Sequence, residues 1–187
     1  MEASLDLESE RVLLRQWVES DVPSFVQLNS DPKVMQYFPQ ALTEQESKGF
    51  VSVMSSIIDK NGWGFWAAEL KSSGDFIGFV GLNIPRTILP FSPCVEVGWR
   101  LHKEYWGNGY ATEAGRISLA YAFEHLNTDE IVSFTTKSNY KSRRVMERLG
   151  MENTCENFKY PDIPNEHPLS EHVLYKISKA EWSKSDL

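Results

Sequence analysis

The chain has 187 residues, 41% of them hydrophobic, with six tryptophans, two cysteines and a formal net charge of −7. That length is enough for one domain, 1–187, to bury a core, and the composition excludes a disordered chain. The acidic balance argues against a broad nucleic-acid surface, which needs a basic face, and suits a cationic partner such as an amine.

In chain order, residues 11–17 read as a first strand. Glu19-Ser20-Asp21 supplies capping residues for a helix through Phe25, Val26 and Leu28, broken at Asp31-Pro32. Thr43 with Glu46 three residues later is a capping-box pattern. It opens a helix through Phe50, Val53, Met54, Ile57 and Ile58 that ends at Asn61-Gly62. Residues 63–70 and 76–82 flank a short loop containing Gly74 and predict a β-hairpin. Pro85, Pro90 and Pro93 mark a loop, followed by a strand over 94–101. Residues 110–126 predict a long helix, 131–136 a strand, and 139–149 a short helix stopped at Gly150. The segment 160–168 holds three prolines and reads as a loop, 173–177 as a last strand, and Glu181-Trp182 as the start of a short tail. Antiparallel strands come first and helix-linked parallel pairing later, which is α+β with a mixed sheet. No apolar run reaches membrane-spanning length, and the acidic N-terminus lacks the order of a signal peptide, so the expected setting is the cytoplasm with no membrane partner. Cys94 and Cys155 form neither a disulfide framework nor a zinc pattern and are expected to be reduced, small core residues.

The stretch Trp106-Gly107-Asn108-Gly109-Tyr110-Ala111-Thr112-Glu113-Ala114 carries the most chemistry. A glycine turn between a strand and a helix leaves several N–H groups unpaired at the positive end of the helix dipole, a site suited to pyrophosphate. No lysine follows as in a Walker loop, and Thr112 stands where a dinucleotide fingerprint needs Gly or Ala. By itself the Gly-x-Gly can also be a tight turn and nothing more.

The wider run is more specific. Val97-Gly98-Trp99-Arg100-Leu101, then Tyr105 through Ala114, resembles the acetyl-CoA motif of the GNAT N-acetyltransferase superfamily. Asn139-Tyr140-Lys141-Ser142-Arg143-Arg144 and Glu147-Arg148-Leu149-Gly150-Met151 resemble its second cofactor segment. Glu10 through Arg15 and Val173-Leu174-Tyr175 are similar to the RimJ/RimL-type branch, which includes acetylators of ribosomal-protein N-termini. The resemblance covers about residues 8–182. It implies a mostly antiparallel central sheet flanked by helices, with a splayed pair of parallel strands at the acetyl-CoA site. It further implies that backbone groups near Trp99 and Leu101 pair with the pantetheine arm. The amides of Gly107, Asn108, Gly109, Tyr110, Ala111 and Thr112 would cradle the pyrophosphate, and Asn139 and Ser142 would contact pantetheine or phosphate. Lys141, Arg143 and Arg144 would include a partner for the ribose phosphate. Relatives often dimerise, which makes a homodimer an expectation.

Alternatives stay open at several of these residues. The Thr112 hydroxyl either binds the cofactor or faces solvent, and Asn139 alone is a good N-cap. Glu113 reads as a first-turn acid favoured by the dipole. The motif usually begins with Arg or Gln where this chain has Glu104, whose side chain is therefore expected to point outward.

No activated serine or cysteine is apparent, so direct attack of an amine in a ternary complex is favoured. The oxyanion donor is expected to be a backbone N–H near the splayed strand. Glu96 interrupts an apolar strand, with residues 94, 96, 98 and 100 on one face. It is either the general base, its pKa raised by burial, or a structural carboxylate paired with Arg100 or another cation. Many relatives place a tyrosine general acid where this chain has Met146; Tyr140 and Tyr110 are the substitutes, with packing roles as the alternative. An α-amine of pKa ~8 is easier to deprotonate than a lysine-like amine of ~10.4, which favours a peptide N-terminus over a polyamine or aminoglycoside. The acidic chain leans the other way, towards a small amine. Trp63, Phe65, Trp66, Trp99 and Trp106 either line the acceptor cleft or fill the core. Phe38, Pro39 and the 160–168 loop are candidates for substrate selection, and His167 and His172 could assist. Met146 and Glu104 also leave room for a catalytically idle CoA-binding module.

Overall fold

The computed structural model describes residues 6–184. The strands are β1 (Leu7–Glu8), β2 (Val12–Arg15), β3 (Phe65–Leu70), β4 (Phe76–Asn83), β5 (Glu96–Leu101), β6 (Glu130–Thr136), β7 (Glu152–Asn153), β8 (Phe158–Lys159) and β9 (Glu171–Ser178). The helices are α1 (Val22–Ser30), α2 (Glu44–Asn61), α3 (Tyr110–His125), α4 (Tyr140–Arg148) and α5 (Lys179–Trp182). The long elements fall where periodicity and capping placed them. Thr43 accepts from the Glu46 N–H while Glu46 accepts from the Thr43 N–H, satisfying two orphan donors at the start of α2. Gly62, in the left-handed region at φ 78°, ends that helix. The two-residue strands β1, β7 and β8 were not foreseen, being too short for a period-2 pattern to register.

The nine strands among the described residues form one sheet in the order β1-β2-β3-β4-β5-β6-β9-β7, with β8 also on β9. Every pairing is antiparallel except β5 with β6. That parallel pairing holds only at Glu96↔Val132, where the Val132 N–H donates to the Val95 carbonyl at 3.0 Å. The sheet therefore opens into a V towards the C-terminal ends of β5 and β6.

Two helical layers cover the sheet. Trp66 packs edge-on against Tyr121 of α3, ring centroids 5.5 Å apart. On the opposite face Phe79 meets Phe25 of α1 at 6.1 Å and Phe50 of α2 at 5.3 Å. Fully burying one such aromatic contributes about 1.5–3 kcal/mol, so these facing clusters hold both layers on the sheet. Strand β5 serves both. Val97 and Leu101 are buried on the α3 side, and the alternation places Glu96, Gly98 and Arg100 on the α1–α2 side. No helix among the described residues is long and apolar enough to cross a membrane.

Candidate active site

The site lies where the sheet splits. The Val95 carbonyl points at β6, so the two-residue period turns the N–H and C=O of Trp99 towards the open V, where β6 no longer pairs. The Leu101 carbonyl accepts from Trp106 Nε1 at 2.9 Å, which ties the end of β5 to the glycine turn.

That turn has the form of a cradle. Gly107 and Gly109 sit at φ 81° and 84°, where a Cβ is strained, and a Cβ at Gly107 would stand in open space. The Asn108 side chain bonds back to the Tyr105 and Trp106 carbonyls, each at 3.2 Å, holding the turn in shape. None of the amides from Gly107 to Thr112 donates to a main-chain carbonyl among the described residues; the first to do so is Glu113, to Gly109 at 2.9 Å. The Thr112 hydroxyl is enclosed and has no partner, so it does not face solvent as one reading had it. Unpaired amides at a helix N-terminus, beside an orphaned hydroxyl, fit a pyrophosphate. Cations flank the turn: the Arg11 guanidinium stacks on Tyr110 at 4.8 Å, and Lys141 Nζ lies 4.2 Å from the Trp106 ring centroid.

The acids near this cradle are kept from it. Glu104 is 61% exposed, in agreement with the expectation for it. Glu113 accepts from Ser9 Oγ, Arg11 N and Arg11 Nε, each at 2.7 Å, and so clamps the β1–β2 turn onto the first turn of α3. On α4, Asn139 caps the helix by accepting from the Ser142 N–H, and its amide donates to Thr135 Oγ1 and Ser142 Oγ. Asn139 and Ser142 thus meet at the mouth of the V with both Asn139 amide hydrogens already in use. Arg143 is engaged with the Tyr175 hydroxyl and the Lys137 carbonyl. Met146 is buried in the core at 1% exposure, and Tyr110 and Tyr140 stack with Arg11 and Arg143.

Glu96 lies at the apex of the V, on the face away from α3. Asn83 Nδ2 donates to its Oε1 at 2.7 Å. Arg100 does not pair with it, because four strand residues separate them by about 13 Å and Arg100 turns to Asn29 instead. Without a cation to offset desolvation, burial pushes the Glu96 carboxyl up to about 7, against a smaller lowering by Asn83. Some of its surface stays accessible. Desolvation and, in part, the Glu96 charge raise the Tyr160 phenol. The Tyr160 ring stacks with Phe134 of β6 at 6.2 Å and His172 of β9 at 5.1 Å. The start of the 160–168 loop is thereby anchored on β6 and β9. The neighbourhoods of Asn83 and Tyr160 carried no signal in the sequence, since both arise from chain crossings.

Other expected residues serve elsewhere. Trp66 is fully buried and Phe65 nearly so; Trp99 and Trp106 are half-buried and Trp106 sits on the cofactor side. His172 donates from Nδ1 to the Ser170 carbonyl, and His167 holds its own turn by accepting from the Leu169 N–H. Cys94 is half-buried with its thiol pushed up to about 11 by burial. Cys155 is exposed, in a left-handed turn at φ 61°, and is not a core residue.

Comparison with known proteins agrees with this geometry. Residues 11–152 match the family model described as an acetyltransferase (GNAT) domain. An Aspergillus fumigatus protein named FsC-acetyl coenzyme A-N(2)-transacetylase is 32% identical over 84% of this chain and 69% of its own. The Bacillus subtilis protein YkkB, uncharacterised, is 31% identical over 81% and 87%. Among solved structures, a GNAT-family acetyltransferase from Bacillus anthracis superposes with a TM-score of 0.77 at 25% identity, covering 94% of this chain and 99% of that one. A ribosomal-protein-S5-alanine acetyltransferase from Vibrio fischeri shares the fold at 22% identity, with a TM-score of 0.73 over 95% and 98% of the chains.

Proposed function

Because the chain belongs to the GNAT acetyltransferase family, and is thereby an N-acetyltransferase using acetyl-CoA and not an idle module, we propose that its acceptor is an α-amine, in the first place that of a peptide or protein N-terminus, as in the RimJ/RimL-type branch. The whole chain, 1–187, acts in this reading as one cytoplasmic acetyltransferase domain.

Glu96 is the general base. The observation that carries this is its position: a carboxyl without a cationic partner, poised near neutrality, at the point where β5 and β6 separate. A base of pKa near 7 is half-ionised at neutral pH and matches an α-amine of ~8 better than a lysine of ~10.4. It takes the amine proton directly or through one water. Bound in the V, acetyl-CoA supplies an activated acetyl thioester. The amides from Gly107 to Thr112 hold the pyrophosphate, with the Thr112 hydroxyl beside them. Trp99 and Leu101 present backbone groups to the pantetheine arm, Asn139 and Ser142 line its other side, and the Trp99 N–H is placed to stabilise the oxyanion. No side-chain acid is required, since a thiol of pKa ~8.5 leaves as thiolate at neutral pH for about 2 kcal/mol.

A second reading, acetylation of a small-molecule amine, has the N(2)-transacetylase relative in its favour. The test is thiol release from acetyl-CoA with peptides bearing free N-termini, the same peptides N-blocked but carrying Lys, and polyamines and aminoglycosides. Activity confined to free N-termini is the expected result; activity confined to polyamines or aminoglycosides would overturn the peptide reading.

A further inference from the structure

Arg100 is a half-buried cation on the α1–α2 face of β5, with its Nε fully enclosed. Its guanidinium stacks under Phe38 at 4.2 Å and beside Phe79 at 5.4 Å. Among the described residues, its one hydrogen bond to a side chain runs from Nη1 to the neutral Asn29 Oδ1, at 2.7 Å. Asn29 is itself fully buried and donates on to Ser47, which fixes its carbonyl towards the arginine. The Arg100 Nε–H is buried without an acceptor, and no carboxylate pairs with Arg100 among the described residues. A buried guanidinium is normally matched to a carboxylate or phosphate, because desolvating it without an anion is costly. Burial alone lowers its pKa, to about 10, so it stays charged at neutral pH.

Its place in the site gives that charge a use. Along this face of β5 the order is Glu96, Gly98, Arg100. Gly98 leaves no side chain between the acid and the cation, and the edge of the Phe65 ring floors the gap. Phe38, which covers the guanidinium, belongs to the α1–α2 connection and is 40% exposed, so the covering ring borders solvent. The two ends of this strip of β5 are opposite in charge character: a carboxyl held by Asn83, and a guanidinium lacking an anion.

We propose that Arg100 is the anion subsite for the acceptor, which carries a carboxylate a short distance from the amine that is acetylated. Glu96 and Arg100 stand about 13 Å apart along the strand, and a hydrogen-bonded contact of about 3 Å at each end leaves an amine-to-carboxylate span of about 7 Å. A free N-terminus followed by an acidic second residue has that span; a linear ω-amino acid of five or six carbons has it too, and its lysine-like amine of ~10.4 makes it a slower acceptor that reports the same carboxylate contact. A polyamine or aminoglycoside has no anion to offer and brings positive charge to Arg100. The inference rests on the proposed acceptor face and on Glu96 as its catalytic end, and it narrows the acceptor class.

The experiment compares matched acceptors. Thiol release is measured with Ser-Glu-Ala-amide against Ser-Gln-Ala-amide, and with 5-aminopentanoate against its primary amide, using the wild-type chain, Arg100→Gln and Arg100→Lys. In parallel, binding of 5-aminopentanoate and of its amide to the CoA complex is followed by calorimetry. The expected result is a preference in kcat/KM of about 10- to 100-fold for the carboxylate member of each pair, the size of a charge-assisted contact. Arg100→Gln brings the ratio close to one with acetyl-CoA affinity unchanged, and Arg100→Lys restores part of it. Turnover with no preference in the wild type, or a preference that survives Arg100→Gln, overturns the subsite while leaving the acetyltransferase reading intact. Carboxylate-selective, Arg100-dependent binding without turnover keeps the subsite and removes the acceptor chemistry assigned to Glu96. Neither binding nor turnover overturns it. Should Arg100→Gln fail to fold, the wild-type comparison alone decides.

Discussion

Asn83 and Glu96 face each other directly across the β4–β5 ladder, and the Asn83 amide donates to the Glu96 carboxyl at 2.7 Å. This neutral donor orients the acid without supplying a positive charge. The carboxyl therefore keeps a pKa of about 7 that a lysine or arginine at position 83 would have lowered. The arrangement gives the carboxyl the titration range that the proposed base requires.

Glu96→Gln keeps the shape and the bond from Asn83 but cannot accept a proton. Turnover should fall by about 10²–10⁴-fold, with acetyl-CoA affinity within twofold of wild type. In the wild type, kcat/KM should rise with pH through about 7, since the ionised form is the active one. That limb should be missing from the variant. Stopped-time thiol assays from pH 5.5 to 9 check both points, and an unchanged turnover removes Glu96 as base.

Asn83→Ala removes the interaction that lowers the Glu96 pKa. The ascending limb should move to higher pH, and the rate at pH 7 should drop several-fold while the plateau at high pH stays near wild type. In the Glu96→Gln background the same change should have little effect on the residual rate, because the titrating group is already absent.

Stability should respond with a definite sign. The folded-state pKa of Glu96 is raised from 4.5 to about 7, so the folded form binds the proton more tightly. Its contribution is fully present below about pH 4.5 and is lost as pH rises through about 7. Wild type should therefore lose, relative to Glu96→Gln, on the order of 1–3 kcal/mol between pH 4.5 and 8. Urea denaturation of the two proteins at both pH values measures the difference.

Gly109→Val places a β-branched residue at φ 84°, which is strained although its Cβ would be only in ordinary contact with Arg11 Nη2 at 3.5 Å. The turn must shift, and the convergent amides with it. Acetyl-CoA affinity should fall at least tenfold by calorimetry. Retained affinity in a folded variant would sink the assignment of the pyrophosphate to this turn.

Thr43→Ala deletes the N-cap of α2, where Thr43 Oγ1 accepts from the Glu46 N–H at 3.2 Å. A loss of about 1 kcal/mol is expected, with kcat/KM nearly unchanged. Thermal melts with activity assays on the same samples separate the two effects.

The chain's local patterns were enough for α1 to α4, the β3–β4 hairpin and the glycine turn. Each depends on residues close in sequence: a cap with its partner three positions on, an apolar period of 3.6 or 2, or a glycine where φ is positive. The same locality made the cofactor motif from Val97 to Ala114 legible before any coordinates. Pairings across the sheet were not legible. Glu96 lies beside Arg100 in the sequence pattern, yet the strand's period of two and its rise separate them, and α1 brings Asn29 to the arginine instead. Asn83 reaches Glu96 through the antiparallel register, and Tyr160 comes within range of its charge because β9 pairs with β8 and the loop after it packs on Phe134 of β6. The two-residue strands at the sheet margin have no pattern of their own and exist only because a longer neighbour offers free backbone groups. Sequence alone thus determined the long elements and the glycine turn, whose causes are local sterics and hydrogen bonding. The partners of Glu96 and Arg100 were decided only when distant segments packed together.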